Sequence, residues 1–329
     1  MKRYGLIILT LFYLIGCGHK DEAKGDVYLI LQNAQSVSIY DPEKDSLYRD
    51  VIQTGKTPNY LLFSDDKGYI VNSGYGGTPS VQMFDTEKNE ILWSSPLPSG
   101  CNPWACTIIG EEIFVTSYIF NKIYILNRLD GSLKDSVKVG NSPEGIAVKD
   151  NFVYVACANI TYDTAGMPVY NDAQLYILEG KSVKDSIRVG KNSQYVEVNG
   201  EQVVVLSTGD YGVTQNGRLY LIQDNTLKDS IDMGGSPGYF VVKNNKAYVV
   251  GFADSLKIVD LGTKEIQKIA LDSISGYMGC DVDEKGRIFV AQFDYTGENN
   301  NLIVLENNVV TKRISLGSGT GLSFVRIKE

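Results

Sequence analysis

Short hydrophobic runs separated by polar turns recur along the chain from residue 26 onward. An early pair is Val27-Tyr28-Leu29-Ile30-Leu31 and, after a polar loop, Val37-Ser38-Ile39-Tyr40. The runs are rich in β-branched and aromatic residues and are bounded by Gly, Asn and Asp, which is typical of β-strands. After residue 16 no stretch of useful length shows the 3.6-residue period of an amphipathic helix. The pattern therefore predicts an all-β protein.

One polar segment recurs at the joints between units. Lys134-Asp135-Ser136-Val137-Lys138-Val139-Gly140 has two close copies, which begin at Lys184 and Lys228. Each copy is followed by a turn and a new hydrophobic run. A unit of four strands repeated at about 40 to 50 residues is the signature of a β-propeller blade.

The number of blades follows from the hydrophobic run that begins near residues 27, 68, 113, 153, 203, 247 and 288. The first unit lacks its leading strand, whereas residues 322–327 form a strand without a unit. Pairing these two would close the ring and remove two open sheet edges. We therefore predict a seven-bladed β-propeller of four-stranded antiparallel blades, spanning residues 27–329, closed by the C-terminal strand on the N-terminal blade.

The Lys-Asp-Ser segment falls at the start of the outermost strand of a blade. Charged and hydroxyl side chains on an exposed edge discourage aggregation, so we interpret the segment as scaffold. An alternative interpretation is that the Asp-Ser-apolar and Asp-Thr-apolar triplets, as at residues 45–47, 163–165 and 185–187, resemble the O-glycosylation motif of Bacteroidetes.

The N-terminus is predicted to be a targeting segment. Lys2 and Arg3 precede a short apolar run over residues 5–16, which is typical of an export signal. The run ends in Leu14-Ile15-Gly16-Cys17, which resembles the lipobox of bacterial lipoproteins. That resemblance implies a signal peptide over residues 1–16, an acyl lipid on Cys17 and a tether over residues 17–26. An ordinary secretory signal with a chance cysteine is the alternative.

The segment Lys20-Asp21-Glu22 resembles the export signal of surface lipoproteins in Bacteroidetes-type bacteria. The resemblance implies an outer-membrane protein on the cell surface. Its membrane contact would be the lipid anchor alone.

Charge and chemistry narrow the possible functions. The formal net charge of −8 and the absence of a basic run disfavour nucleic acid as a partner. The only histidine is His19, so a Ser-His-Asp triad and a His-based metal site have no histidine in the propeller. No CxxC pair, phosphate-binding glycine loop or nucleophile elbow is present. We therefore expect a protein that is not an enzyme and has no metal or cofactor of its own.

Four cysteines remain after Cys17. Cys101 and Cys106 flank Asn102-Pro103-Trp104-Ala105 and could pair as a disulfide across a turn. Cys157 and Cys280 lie in apolar runs and are expected to be small buried hydrophobic side chains.

Candidate binding residues concentrate on one predicted rim of the propeller. The loops between the first and second runs are long at residues 72–80, 159–174, 208–217 and 292–301, and they emerge on the same face as the blade-to-blade turns. Aromatic side chains offer rigid contact area at low entropic cost. The predicted ligand-binding residues are Tyr75, Trp104, Tyr118, Phe120, Tyr162, Tyr170, Tyr211, Phe252, Phe293 and Tyr295.

The blade-to-blade turn offers a second set of candidates. One of its positions changes identity from blade to blade and is expected at the mouth of the central channel. The residues at this position are Asn59, Trp104, Glu144, Gln194, Gly238 and Met278.

One turn and the strands after it resemble the YVTN family of seven-bladed propellers. The residues that carry the resemblance are Ser142-Pro143-Glu144-Gly145-Ile146-Ala147-Val148, followed by Val153-Tyr154-Val155. Together with the lipobox and the Tyr-rich loops, the chain is similar to Bacteroidetes surface lipoproteins that bind cobalamin. This resemblance implies capture of a corrinoid for a TonB-dependent outer-membrane transporter. Two alternatives stay open. One is a surface-layer or adhesion protein with protein or glycan partners, and the other is a carboxylate-metal lactonase-like hydrolase with acidic loop residues.

Overall fold

The computed structural model describes residues 25–210, 216–251, 255–271, 276–293, 297–298 and 300–329. Within these ranges the strands form seven four-stranded antiparallel sheets and one two-stranded hairpin. The seven sheets are the blades of a β-propeller, as the sequence predicts. No helix in these ranges is long and apolar enough to cross a membrane.

The first seventeen strands form most of blades 1 to 4. They are β1 (Val27–Leu31), β2 (Ser36–Asp41), β3 (Ser46–Gln53), β4 (Pro58–Ser64), β5 (Lys67–Asn72), β6 (Ser80–Asp85), β7 (Glu90–Pro96), β8 (Pro103–Ile109), β9 (Glu112–Ser117), β10 (Lys122–Asn127), β11 (Leu133–Lys138), β12 (Pro143–Lys149), β13 (Phe152–Cys157), β14 (Ile160–Tyr162), β15 (Pro168–Tyr170), β16 (Asp172–Glu179) and β17 (Ser182–Lys191).

The other thirteen strands form blades 5 to 7 and complete blade 1. They are β18 (Ser193–Asn199), β19 (Gln202–Ser207), β20 (Arg218–Gln223), β21 (Thr226–Asp232), β22 (Pro237–Lys243), β23 (Lys246–Gly251), β24 (Leu256–Asp260), β25 (Ile266–Ile269), β26 (Gly276–Val282), β27 (Ile288–Phe293), β28 (Asn301–Glu306), β29 (Val309–Ser315) and β30 (Leu322–Ile327).

The C-terminal strand closes the ring. β30 pairs with β1 in the order β3-β2-β1-β30, with Ile327 opposite Val27 and Leu322 opposite Leu31. Beyond this ladder the Gly25 N–H donates to the Lys328 carbonyl at 2.7 Å. The predicted closure is therefore confirmed, and the first blade contains strands from both ends of the chain.

Each blade presents its innermost strand to the central channel and its outermost strand to solvent. In blade 2, for example, the middle strand β5 is almost wholly buried, whereas the outer strand β7 is mostly exposed. Apolar side chains of the middle strands pack between neighbouring blades, and burying each such Val, Ile, Leu or Phe is worth about 1.5–3 kcal/mol. The fold is thus held by contacts between blades. The innermost strands are β30, β4, β8, β12, β18, β22 and β26.

Every innermost strand carries a register shift close to its first residue. In blade 2 Pro58 pairs with Asn72 and Tyr60 with Val71, so that Asn59 is the extra residue. A β-bulge of this kind redirects a side chain out of the ladder. The bulged positions, six of which the sequence singles out as variable, are Asn59, Trp104, Glu144, Gln194, Gly238, Met278 and Ser323.

The repeated Lys-Asp-Ser segment forms a bulge on the outer edge of blades 3, 4 and 5. In each, the lysine is skipped in the ladder, as Lys134 is between Leu133 and Asp135. The aspartate carboxylate then accepts the N–H of the following serine at 2.7–2.8 Å, as Asp135 does from Ser136. Bulges and charges on outer strands discourage edge-to-edge pairing, which supports the scaffold interpretation.

Cys101 and Cys106 are separate, buried thiols, so the predicted disulfide is not formed in this structure. Cys101 lies in the turn before β8, where its carbonyl accepts the Ser117 hydroxyl at 3.0 Å. Cys106 lies within β8, where burial raises the pKa of its thiol and the charge of Arg326 lowers it. The two thiols therefore have different neighbours. Cys157 and Cys280 are buried, as expected.

Candidate ligand-binding site

A cavity of about 370 Å³ lies at one end of the central channel, where the innermost strands begin. We call this end the mouth. Strand β14 and strand β15 of the hairpin contribute one wall, and the bulged starts of four innermost strands contribute the others. None of the lining residues carries a formal charge. They are Trp104, Ile160, Tyr170, Asn192, Gln194, Tyr195, Thr208, Gly238, Tyr277 and Met278.

The local sequence explains why the innermost strands begin in this way. The residue before the strand adopts a left-handed backbone in four successive blades, at Thr57, Asn102, Ser142 and Asn192 (φ 48° to 55°). A proline then opens three of these strands, a position where its missing N–H is tolerated. Trp104 and Gln194, the bulged residues that follow two of these turns, line the cavity.

The long loops predicted for the ligand-binding rim do emerge at the mouth. In three of the four, a backbone hydrogen bond joins the start of the loop to the turn that precedes the innermost strand of the same blade. Ser73 N–H donates to the Thr57 carbonyl at 2.9 Å, and Ala158 N–H donates to the Ser142 carbonyl at 2.9 Å. The same bond recurs from Thr208 to Asn192 at 3.0 Å.

The predicted aromatic residues divide into those in the cavity and those around it. Trp104 and Tyr170 line the cavity. Tyr118 packs on Trp104 with ring centroids 6.1 Å apart, and its hydroxyl hydrogen-bonds to Tyr162. Burial raises the pKa of Tyr118 far above its ordinary value, so this hydroxyl stays protonated.

The other predicted aromatic residues lie outside the cavity wall. Tyr75 and Tyr162 are 82% and 62% exposed, and Phe120 is also exposed. Phe293 ends β27, opposite Gly276, and is partly buried. Tyr211, Phe252, Tyr295 and Cys17 lie outside the described residues.

The hairpin β14–β15 is an addition that only blade 4 carries among the described residues. Its strands pair with each other and not with the blade, with Ile160 opposite Tyr170. Its base is closed by the Asn171 N–H, which donates to the Asn159 carbonyl at 3.3 Å. The hairpin therefore places Ile160 and Tyr170 in the cavity and leaves Tyr162 and Met167 exposed outside it.

Glu144 occupies the bulged position between the blades of Trp104 and Gln194. It is 1% exposed, and its Oε2 has no hydrogen-bond partner among the described residues. A methyl group on Gly145 would lie 2.6 Å from the Gln194 carbonyl, so only glycine lets β12 approach β18 this closely. Burial raises the pKa of Glu144 to about 8, and its carboxyl hydrogen-bonds to the side chain of Gln194.

The opposite end of the channel has a different character. A cavity of about 470 Å³ there includes six charged residues in its wall: Asp65, Glu197, Lys243, Asp281, Arg326 and Glu329. Arg326 lies 3.9 Å from Glu197, and its guanidinium carbon is 5.5 Å from the Phe324 ring centroid. Burial raises the pKa of Glu197 to about 6, and Arg326 opposes the rise. The two ends of one channel thus differ sharply in charge.

The described residues contain no group of three or more His, Cys, Asp or Glu side chains that could hold a metal ion. The acidic loop residues Asp163 and Asp172 instead have local partners. The Asp163 carboxylate caps its own turn by accepting the Ala165 and Met167 N–H groups at 2.8 Å, and Asp172 pairs with Arg188.

Sequence reasoning did not single out five of the lining residues. Tyr195 and Tyr277 were only part of a hydrophobic strand pattern, although the residue at or beside the bulge is the one that faces the channel. Asn192 was recognisable as a left-handed turn residue. Ile160 and Thr208 carried no signal, because their position depends on the hairpin and on the register of β19.

No protein-family model matches the chain, and no curated protein matches it. Solved structures do resemble it. Hydrazine synthase of Kuenenia stuttgartiensis aligns with a TM-score of 0.67 at 13% identity, over 81% of this chain and 88% of that chain. A quinoprotein alcohol dehydrogenase-like protein of Bacteroides thetaiotaomicron aligns with a TM-score of 0.67 at 15% identity, over 93% and 78%.

The WD40 propeller domain of Doa1 also aligns, with a TM-score of 0.64 at 10% identity, over 82% of this chain and 86% of that chain. At such identities the likeness shows the fold alone. The resemblance of the sequence to seven-bladed propellers is confirmed in that respect.

The expectation that the chain is not an enzyme is wrong. The same fold, at the same TM-score, occurs in a structure named hydrazine synthase and in one named as alcohol dehydrogenase-like. The sequence argument from the single histidine, His19, concerns histidine-based chemistry alone. The fold therefore gives no ground for excluding catalysis. What the comparisons establish for this chain is that it is a β-propeller.

Proposed function

We propose that the protein binds a small ligand at the mouth of its channel. The observation that carries the proposal is an uncharged cavity of about 370 Å³ at the bulged starts of four innermost strands, with four aromatic residues among the ten that line it. Small-molecule sites are typically apolar concavities of about 300–1,000 Å³ with a few directed polar groups. Here Asn192, Gln194 and Thr208 supply the polar groups.

Buried polar atoms at the mouth support the same proposal. Asn192 Oδ1 and Asn59 Oδ1 have no hydrogen-bond partner in the described part of the chain. A buried acceptor without a donor is costly, about 1–3 kcal/mol. A ligand that brings N–H or O–H groups would remove this cost.

A corrinoid is the specific ligand that we propose. It combines flat apolar faces with peripheral amide groups, which suits aromatic walls and unpaired acceptors. A corrinoid is larger than the cavity, so part of it would lie on the rim. The exposed Tyr75, Phe120 and Tyr162 offer aromatic surface there.

The cellular setting in this proposal rests on the N-terminal motifs. A lipid on Cys17 would anchor the chain at the outer membrane, and a TonB-dependent transporter would receive the ligand. The similarity of the lipobox and the Lys20-Asp21-Glu22 segment to those of surface lipoproteins supports this setting.

The experiment is incubation of the purified protein with cyanocobalamin, followed by desalting and measurement of the retained visible absorbance. We expect retained colour, and we expect Trp104→Ala and Tyr170→Ala each to weaken binding at least tenfold, because both line the cavity. Tyr48→Ala is the matched control, since Tyr48 is an exposed aromatic residue on β3, away from the mouth.

Absence of retained colour would rule out a corrinoid as the ligand. An adhesion scaffold predicts no affinity for any small molecule. Unchanged binding in both Trp104→Ala and Tyr170→Ala would instead place the ligand elsewhere and overturn the proposed site.

A further inference from the structure

The hydroxyl of Thr208 fixes the orientation of a side chain in the mouth. Its Oγ1 lies 2.7 Å from the Pro237 carbonyl oxygen and 2.7 Å from the side-chain atom of Gln194 assigned as Oε1. A hydroxyl has one proton, and a carbonyl can only accept. Thr208 therefore donates to Pro237, and Gln194 must donate to Thr208. Since amide oxygen and nitrogen are assigned from such networks, Nε2 of Gln194 faces Thr208.

This orientation has a consequence for Glu144, whose carboxyl hydrogen-bonds to the same amide. With Nε2 on the Glu144 side, Gln194 would lower the pKa of this carboxyl, and the two contacts of Thr208 reverse that assignment. With Nε2 turned to Thr208, the amide oxygen of Gln194 faces the Glu144 carboxyl. Two oxygens can share a hydrogen bond only if one carries a proton. A protonated Glu144 thus completes a chain in which Glu144 donates to Gln194, Gln194 to Thr208 and Thr208 to Pro237.

The surroundings of Glu144 favour the same state. Its titratable neighbours are Tyr118 at the end of β9, Cys157 on β13, Tyr170 on β15 and Tyr195 on β18, and burial raises the pKa of each. All four are therefore neutral near pH 7. Asp210 acts on Tyr170 and is paired with Lys191. Burial, the dominant influence on Glu144, raises its pKa to about 8.

We propose that the mouth selects uncharged ligands and that Glu144 is the positioning residue that keeps the mouth uncharged, by holding the Gln194 amide in one orientation. This inference rests on the proposed function and names its ligand class: neutral molecules with amide or hydroxyl donors. An ionised Glu144 requires an N–H in place of the Gln194 oxygen. The amide would then rotate, and its oxygen would oppose the Thr208 hydroxyl that already donates to Pro237.

The first test needs no ligand. Glu144→Gln keeps a neutral side chain whose amide can donate to Gln194 but cannot titrate. Between the ordinary pKa of 4.5 and about 8, the folded protein holds a proton that the unfolded chain has released. Stability from Glu144 is therefore complete below pH 4.5 and is lost as pH rises through 8. The unfolding equilibrium constant should rise up to tenfold per pH unit relative to Glu144→Gln.

That comparison is made by urea denaturation from pH 5 to pH 9. A Glu87→Gln variant, at an exposed turn, should run parallel to the unaltered protein and serves as the control. Parallel curves for the unaltered protein and Glu144→Gln across the whole range would overturn the inference, because Glu144 would then titrate like an exposed acid.

The second test uses 2-phenylacetamide and phenethylamine, which share a ring and differ in charge at pH 7. Protein-observed NMR titration should show the amide binding at least tenfold more tightly than the amine. Above pH 8 the affinity for the amide should fall, towards tenfold per pH unit, and Glu144→Gln should abolish that fall. Equal affinities, no binding of either compound, or an amine that binds more tightly as pH rises would overturn the inference.

The two proposals fail separately. Amide selectivity without retained cobalamin colour would remove the corrinoid and keep the uncharged mouth. Cobalamin binding that stays constant to pH 9.5 in the unaltered protein would keep the proposed function and remove the role of Glu144.

Discussion

The bulged residue at the start of each innermost strand combines a fixed backbone with a free choice of side chain. Its neighbours are constrained, because the residue before the strand is left-handed at Thr57, Asn102, Ser142 and Asn192 and the strand after the bulge is partly or wholly buried. At Trp104, Gln194 and Met278 the side chain leaves the ladder and lines the cavity. This is why Trp104, Glu144, Gln194 and Met278 can occupy equivalent positions in a single fold.

Glycines away from the mouth show the opposite constraint, and Gly68 gives a test of it. A methyl group there would lie 2.1 Å from the ring of the buried Phe84. We expect Gly68→Ala to lower the free energy of unfolding by about 1–3 kcal/mol through overpacking. The measurement is urea denaturation. Gly238→Ala is the control, because its nearest neighbour would be 3.6 Å away and its change should stay within about 0.5 kcal/mol.

Equal losses in Gly68→Ala and Gly238→Ala would show that close packing of Phe84 is not what requires glycine at residue 68.

At the scale of the element, the outer strands show how a sequence repeat can encode a defect. Lys134-Asp135-Ser136 and its two copies share the same local structure. In each, the lysine is unpaired in the ladder and the serine N–H donates a hydrogen bond to the aspartate carboxylate. A regular alternation of polar and apolar residues predicts the strand but does not reveal a bulge. The bulge depends on the partner strand, which lies elsewhere in the sequence.

The hairpin β14–β15 is the element whose removal separates binding from folding. It forms no ladder with blade 4, and its ends meet at Asn159 and Asn171. Replacing residues 161–169 with two glycines should change the free energy of unfolding by less than about 1 kcal/mol, because few buried contacts are lost. Ligand affinity should fall at least tenfold, because Tyr170 loses its support in the cavity wall.

Calorimetric titration with cyanocobalamin and urea denaturation of the same variant check both parts. A large loss of stability would show that the hairpin belongs to the core of blade 4. Unchanged affinity would show that the cavity functions without its wall.

The candidate site was only partly predictable from these elements. Trp104 and Tyr170 stood out as aromatic residues in turns and loops, and the variable position of Gln194 appeared when the blades were aligned on one another. Tyr195 and Tyr277 could not be predicted in this way. Alternation along a strand gives two faces, and only the position of the bulge determines which face lines the channel. The role of Thr208 required the distances to two acceptors.

At the scale of the whole molecule, ring closure makes the two chain ends mutually dependent. Deleting residues 322–329 removes β30, which lies between β1 and the channel. We expect this deletion to abolish cooperative unfolding, because it exposes the inner edge of blade 1 and the apolar faces on either side. Deletion of Glu329 alone is the control, since this residue lies beyond β30 and its carboxylate, which pairs with Lys243, is largely exposed.

Circular dichroism and urea denaturation check this prediction. A cooperative transition in the protein that lacks residues 322–329 would show that six complete blades and an open edge suffice for folding.

The overall fold was predictable because the repeated units could be aligned with one another within the single sequence. Seven copies of one hydrophobic run, an incomplete first unit and an unassigned last strand permit one simple ring. The aromatic content of the loops indicated a binding face in the same way. Cys101 and Cys106 are unpaired in the structure although they are close in sequence, because Cys101 lies in the turn before β8 and Cys106 lies within that strand.

Ring closure also determines the side from which the chain enters the propeller. Val27 pairs with Ile327 at the end of β30 that lies farthest from Leu322, where the mouth begins. A chain anchored through Cys17 would therefore be suspended from the charged end of its channel. In that arrangement the mouth would face away from the membrane. A ligand bound at the mouth would then have to pass around the propeller to reach a protein in the membrane.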